Sequence, residues 1–290
     1  MSQLESKKHL IYILGTFAFF LFTIADTIIK LIGDLYKDTV IFSIASFSAI
    51  IPVCIYLFYR QSLTEIKTTN YKLHIVRGIL MTLTYYFIVK GIILLPLSIA
   101  YPIILSAPVL LSVLGIVILK ESVNFSKIFS LVLAMTAVFL VSGFSLSEGF
   151  DAQGVIFLVL GVIALACLDF SVRVFGKDER TMALTFYSML FSGAVFLIFS
   201  LNHFGNILLK DLLMMISAGL IDGAAMMILI YSLRRIEASF FSITHYSQII
   251  FGIIISIFIF NHYPSSIELL GAAMIIISGY LIYAKLKKLN

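Results

Sequence analysis

The stretches Asp26-Thr27-Ile28-Ile29-Lys30-Leu31-Ile32-Gly33 and Asp169-Phe170-Ser171-Val172-Arg173-Val174-Phe175-Gly176 follow one pattern: an acid, three residues, a base, two residues, a glycine. They lie 143 positions apart. Each sits in a long apolar run, where an ionisable residue costs roughly 2.5–3.5 kcal/mol on insertion scales. A recurring Asp and base therefore carry more information than matched apolar residues. Further along, Gly78 aligns with Gly219 and Ser98 with Ser239, both at an offset of 141. A slip of two residues is what a difference in loop length gives. The matches lay residues 1–146 over residues 147–290 as two copies of one unit.

Apolar runs surround the repeated stretches. Ten are readable: 10–32, 39–59, 73–95, 98–119, 128–146, 153–175, 182–201, 211–233, 239–260 and 266–284. Each is close to the roughly 20 residues a helix needs to cross a bilayer. The longest connection, from Arg60 to Lys72, is too short for a soluble domain. Inside lipid every backbone group needs an internal partner, so only helices and closed barrels span. None of the runs alternates with period two, which rejects the barrel. The short basic start, Met1 to His9, precedes a run too long for a signal-peptide core, and suits a first spanning helix.

Composition agrees. Of the 290 residues 61% are hydrophobic and only 12% charged, against about 25% charged in soluble domains. The net charge of +5 is spread between apolar runs instead of along one stripe, so it is a topology signal and not a nucleic-acid footprint. With the N-terminus in the cytoplasm, sixteen of the twenty Lys and Arg fall on the cytoplasmic side, Arg77 and Lys120 among them; Lys30, Lys37, Lys90 and Lys210 fall outside. That bias requires an even number of spans. Five spans per unit is odd, so the second copy enters the membrane inverted. The expected fold is an all-α membrane protein of ten transmembrane helices, two inverted five-helix repeats with both termini cytoplasmic, in the inner membrane. Inverted repeats are common in secondary transporters.

Several residues are candidates for the chemistry. Asp26 and Lys30 share a helix face with Thr23 and Gly33, and Asp169 and Arg173 repeat the arrangement. Each pair either neutralises itself, the base snorkelling to the interface, or borders a cavity where Lys30 and Arg173 act in gating or charge pairing. Asp222, beside Gly223, Ala224 and Ala225, is equally suited to a structural bond or to substrate contact. Residues 239–248 hold Ser239, Ser242, Thr244, His245, Tyr246 and Gln248, too polar for lipid. They either glue helices together or, the preferred reading for His245, Tyr246 and Gln248, line a cavity. Ser98, Tyr101 and Ser106 are their counterparts, with Pro102 and Pro108 able to kink the helix. The hydroxyls of Tyr85 and Tyr86 need partners at their depth. Lys90 reads as a snorkelling base, and Glu121 as a cap or a partner to a loop base.

The run Arg77-Gly78, Lys90-Gly91, Leu95-Pro96-Leu97-Ser98-Ile99-Ala100, Pro108 and Leu119-Lys120-Glu121 resembles the drug/metabolite transporter superfamily, in its two-repeat EamA-type branch. The second half diverges: His262 stands at the matching Glu position. Asp26 with Lys30, and Tyr246 with Gln248, look most like the S-adenosylmethionine uptake branch. The resemblance implies transport of a small polar solute, zwitterionic or cationic, such as S-adenosylmethionine or an amino acid. Rival readings are a metabolite or drug exporter of the same superfamily and a membrane-embedded enzyme or scaffold.

Missing motifs narrow the choice. The sequence has no Gly-Lys-Ser/Thr phosphate loop, no His-Glu-x-x-His and no zinc-ligand spacing. Cys54 and Cys167 lie in apolar runs and make no disulfide framework. No cofactor, metal or catalytic residue is expected. The expected partners are a small-molecule substrate and the bilayer, with a homodimer possible and otherwise a monomer.

Overall fold

The computed structural model describes residues 3–120, 125–175, 179–233 and 238–289. Eleven α-helices and no strand occur among them: α1 Gln3–Ile32, α2 Asp38–Arg60, α3 Tyr71–Leu94, α4 Leu97–Ile104, α5 Ala107–Leu119, α6 Phe125–Ser147, α7 Ala152–Phe175, α8 Thr181–Ser200, α9 Leu209–Leu233, α10 Ala238–Phe258 and α11 Ser266–Leu289. By length and apolar content seven helical stretches could cross a bilayer, α4 and α5 counting as one. Shorter apolar stretches, Val132–Val141, His245–Phe258 and Ser266–Ser278, lie in α6, α10 and α11.

The run 98–119 is expected as one kinked helix and folds as two. Pro108 has no N–H and sits in the first turn of α5, where no donor is needed. The chain therefore ends α4 at Ile104 and restarts at Ala107, with Ser106 accepting from the amides of Val109 and Leu110. Other ends follow local chemistry. Asn70 caps α3 by accepting from the Leu73 amide at 3.2 Å. Ser265 and Glu268 form a reciprocal capping box at the start of α11, each side chain bonding the other's backbone amide.

Small residues decide which helices touch. A Cβ on Gly219 would come 2.2 Å from the Ala45 carbonyl oxygen, and one on Gly223 2.1 Å from that of Ala49, so α9 and α2 meet backbone to backbone. Gly78 makes room for the Phe191 ring, letting α3 rest on α8. The closest packings are α3 with α7, α1 with α9, α2 with α8 and α9, α6 with α11, α3 with α8 and α1 with α10. The core is centred on α4, whose eight residues are all buried.

Candidate functional site

Asp26 lies four turns into the apolar part of α1, and its partner comes from α4. The Tyr101 hydroxyl donates to Asp26 Oδ2 at 2.9 Å. Tyr101 is 1% exposed. Its ring lies where a side chain on Gly252 would stand: a Cβ there would be 2.1 Å from the ring edge. Only glycine on α10 lets the phenol reach α1. Thr23, one turn before Asp26, and Gln248, one turn before Gly252, bring their side chains to the same hydroxyl. Asp222 reaches this group from α9 and lies within electrostatic range of Asp26. Tyr85, on α3, is within range of both carboxylates. Thus Asp26, Tyr85, Tyr101, Asp222 and Gln248, taken from five helices, converge. No basic side chain among the described residues makes an ion pair with either carboxylate.

Tyr86 stands beside this group. Its ring packs edge-on against Phe42, Phe87 and Phe157. His245 stacks on Phe19 with ring centroids 4.3 Å apart. Tyr246 is buried in the core with Tyr101 and Ile249, and its hydroxyl has no hydrogen-bond partner among the described residues.

Lys30 does not close a pair with Asp26. Its ammonium donates to the carbonyls of Ile92 at 2.5 Å, Ile93 at 3.0 Å and Leu95 at 2.7 Å. The physical reason lies in Pro96, which follows α3 and lacks the N–H that would serve the Ile92 carbonyl. A cation at a helix C-terminus satisfies such orphans and opposes the helix dipole. Lys90, expected to snorkel, instead forms an ion pair with Asp38 at the start of α2.

Asp169 lies on α7 and is accessible. The charge facing it is Arg77 of α3. Arg77 is counted from sequence among the bases of the cytoplasmic side, and in the fold it is only 6% exposed. Its Nη1 donates to the Leu168 carbonyl at 3.1 Å and to Ser171 Oγ at 3.0 Å. The signal was present: a lone Arg inside the apolar run 73–95. The side chains of Arg173, Ser239, Ser242 and Thr244 fall outside the described residues, as do Glu121 and Gly176.

Two polar knots were not anticipated. Glu268, 2% exposed, accepts from Ser98 Oγ at 2.5 Å and meets His262 Nε2 at 3.1 Å, tying α4 to the start of α11. Glu179 accepts from Thr68 Oγ1 at 2.9 Å and lies 3.4 Å from His74 Nε2. The capping spacing Ser265-x-x-Glu268 marks the first in the sequence; nothing local marks the second.

A sequence model of the EamA-like transporter family matches residues 9–143 and again residues 152–284. The S-adenosylmethionine uptake transporter of Rickettsia bellii is 23% identical over 91% of this chain and 90% of its own length. Those of Rickettsia conorii and Rickettsia prowazekii are 24% and 22% identical, with 91% and 92% of this chain covered and 90% of each relative. A crystal structure only 11% identical matches with a TM-score of 0.71 over 97% of this chain and 98% of its own, a likeness of fold alone. With its apolar helices and a family match running through both halves, the chain belongs to the EamA-like transporter family, as a multi-pass transporter of the inner membrane and not an enzyme.

Proposed function

We propose that this chain is a ten-span secondary transporter, built from inverted five-helix halves at residues 1–146 and 147–290 with both termini cytoplasmic. It carries a small zwitterionic or cationic metabolite, S-adenosylmethionine or an amino acid, by alternating access. The helix pairings support the two halves. The contact of α1 with α9 has its counterpart in α7 with α3, and that of α2 with α9 in α8 with α3. Contact between α1 and α10 is matched by α7 with α4 and α5. Gly78 and Gly219, aligned by sequence, serve equivalent interfaces in this scheme. The apolar stretches in α6, α10 and α11 supply the spans beyond seven.

The observation that carries the cargo class is the convergence of Asp26 and Asp222 with Tyr101 and Tyr85, the nearest base on α1 being committed to α3. Two carboxylates within reach of one another, with no basic partner among the described residues, favour a positive group between them. Aromatic faces alongside suit an organic cation such as a sulfonium or ammonium. The relatives' names point to the same chemistry.

Reconstituted protein in liposomes should take up labelled S-adenosylmethionine saturably, with competition from cationic and zwitterionic metabolites and none from neutral apolar drugs. Asp26→Asn, at equal protein, should lower the rate at least ten-fold. Wild-type flux from that variant would remove Asp26 from the site; absence of flux across the panel would remove the cargo class.

A further inference from the structure

The region between α3 and α7 holds opposite charges that do not meet. Arg77 is gripped by α7 through a single nitrogen, Nη1, which bonds the Leu168 carbonyl and Ser171. Its Nε is buried without a partner among the described residues. Asp169, one residue from Leu168, is accessible and accepts no hydrogen bond among the described residues. Acid and base feel each other, yet no ion pair forms between them. His74, one turn before Arg77 on α3, is already engaged by Glu179.

A helix clamp alone explains Nη1 and leaves the rest unexplained. A buried guanidinium with an unpaired N–H pays the desolvation cost of that group without return. An accessible carboxylate beside it would ordinarily close the gap. Both are satisfied together by a ligand carrying a carboxylate and an ammonium on one carbon. The guanidinium suits a carboxylate by its planar fork, and Asp169 suits the ammonium.

We infer that Arg77 and Asp169 form a binding station for the α-amino-acid head of a zwitterion, Arg77 taking the carboxylate and Asp169 the ammonium. This rests on the transport reading above and adds to it a residue on α3 and a chemical requirement. The cargo must carry a free carboxylate, which a plain organic cation lacks.

The test compares purified wild-type protein in nanodiscs binding S-adenosylmethionine and its decarboxylated counterpart, which differ only in that group. Wild type should prefer the carboxylate-bearing compound by at least ten-fold. Arg77→Gln should bring the ratio to within about two-fold. Asp169→Asn should weaken both compounds together and keep the ratio, since both carry the ammonium. A clamp with no ligand contact would weaken both alike in Arg77→Gln, so an unchanged ratio in that variant overturns the inference. Should Arg77→Gln fail to yield a monodisperse species, Arg77→Lys keeps the charge without the fork and must also reduce the ratio. A wild type that binds both compounds equally overturns this station and leaves the transport reading standing. If neither compound binds, S-adenosylmethionine falls as cargo, and L-methionine against 3-(methylthio)propylamine repeats the measurement. Loss of preference or of binding there overturns the station too.

Discussion

Asp26 and Lys30 show what residue spacing does and does not convey. Four residues apart on one helix, they invite an intrahelical pair. The structure spends them on different helices: Asp26 on Tyr101 of α4, Lys30 on the last carbonyls of α3. The competing interaction won because Pro96 leaves carbonyls that only an added donor can serve. Lys30→Met should therefore act on stability before transport. Charge-assisted hydrogen bonds contribute about 1.5–3 kcal/mol, so its melting temperature in detergent should fall by several degrees. Tyr101→Phe removes one bond, worth about 1 kcal/mol, and should lower affinity for a cationic cargo roughly five-fold with little change in melting. Outside the spans, Tyr36 donates to Asp211 Oδ2 at 2.6 Å and accepts from the Leu208 amide at 3.2 Å. The bond to Asp211 raises its phenol above the ordinary value, because ionisation would lose that bond and set two anions together.

At the scale of elements, contact is set by what is missing from side chains. Gly219 and Gly223 stand one turn apart on α9, and each faces a carbonyl oxygen of α2. Small residues at helix interfaces let backbones approach where lipid supplies no hydrophobic drive to pack. Gly223→Ala must push the two backbones apart, since neither side of the contact is a flexible side chain. Overpacking of this kind costs about 1–3 kcal/mol, and a matching loss of thermal stability should appear in a melting curve. The move also displaces the neighbouring Asp222, so transport should fall beyond the loss of folded protein. The break between α4 and α5 was foreshadowed by two prolines, but their numbers alone do not say which one acts. Position decides: Pro108 opens α5, while Pro102 lies inside α4 and is accommodated there.

At the scale of the molecule, the proposed topology puts the connection between α2 and α3 in the cytoplasm and that between α8 and α9 outside. In a background with Cys54 and Cys167 replaced by serine, a cysteine at Asn202 should react with an impermeant maleimide added to intact cells. One at Thr69 should react only after the membrane is opened. Both positions are exposed. Equal labelling of the two from outside would break the odd number of spans that this topology places between them.

The transporter family was legible through the resemblance of its motifs; helical content and membrane residence were legible because lipid is a demanding solvent. It requires long apolar runs, tolerates few charges and leaves loops short, so a linear pattern reports them directly. Candidate acids and tyrosines were legible for the same reason: each was a polar residue where polarity is costly. Their partners were not. Asp26 and Tyr101 are 75 residues apart, Arg77 and Ser171 94, and Ser98 and Glu268 170. Which distant helix supplies a partner depends on where glycines admit close approach and where prolines free a carbonyl, and those conditions are met only when the helices stand side by side. The repeated Asp-x-x-x-base stretch told where charge would lie within the apolar runs; tertiary packing alone decided that Asp26 faces a tyrosine and a second acid while Asp169 faces an arginine.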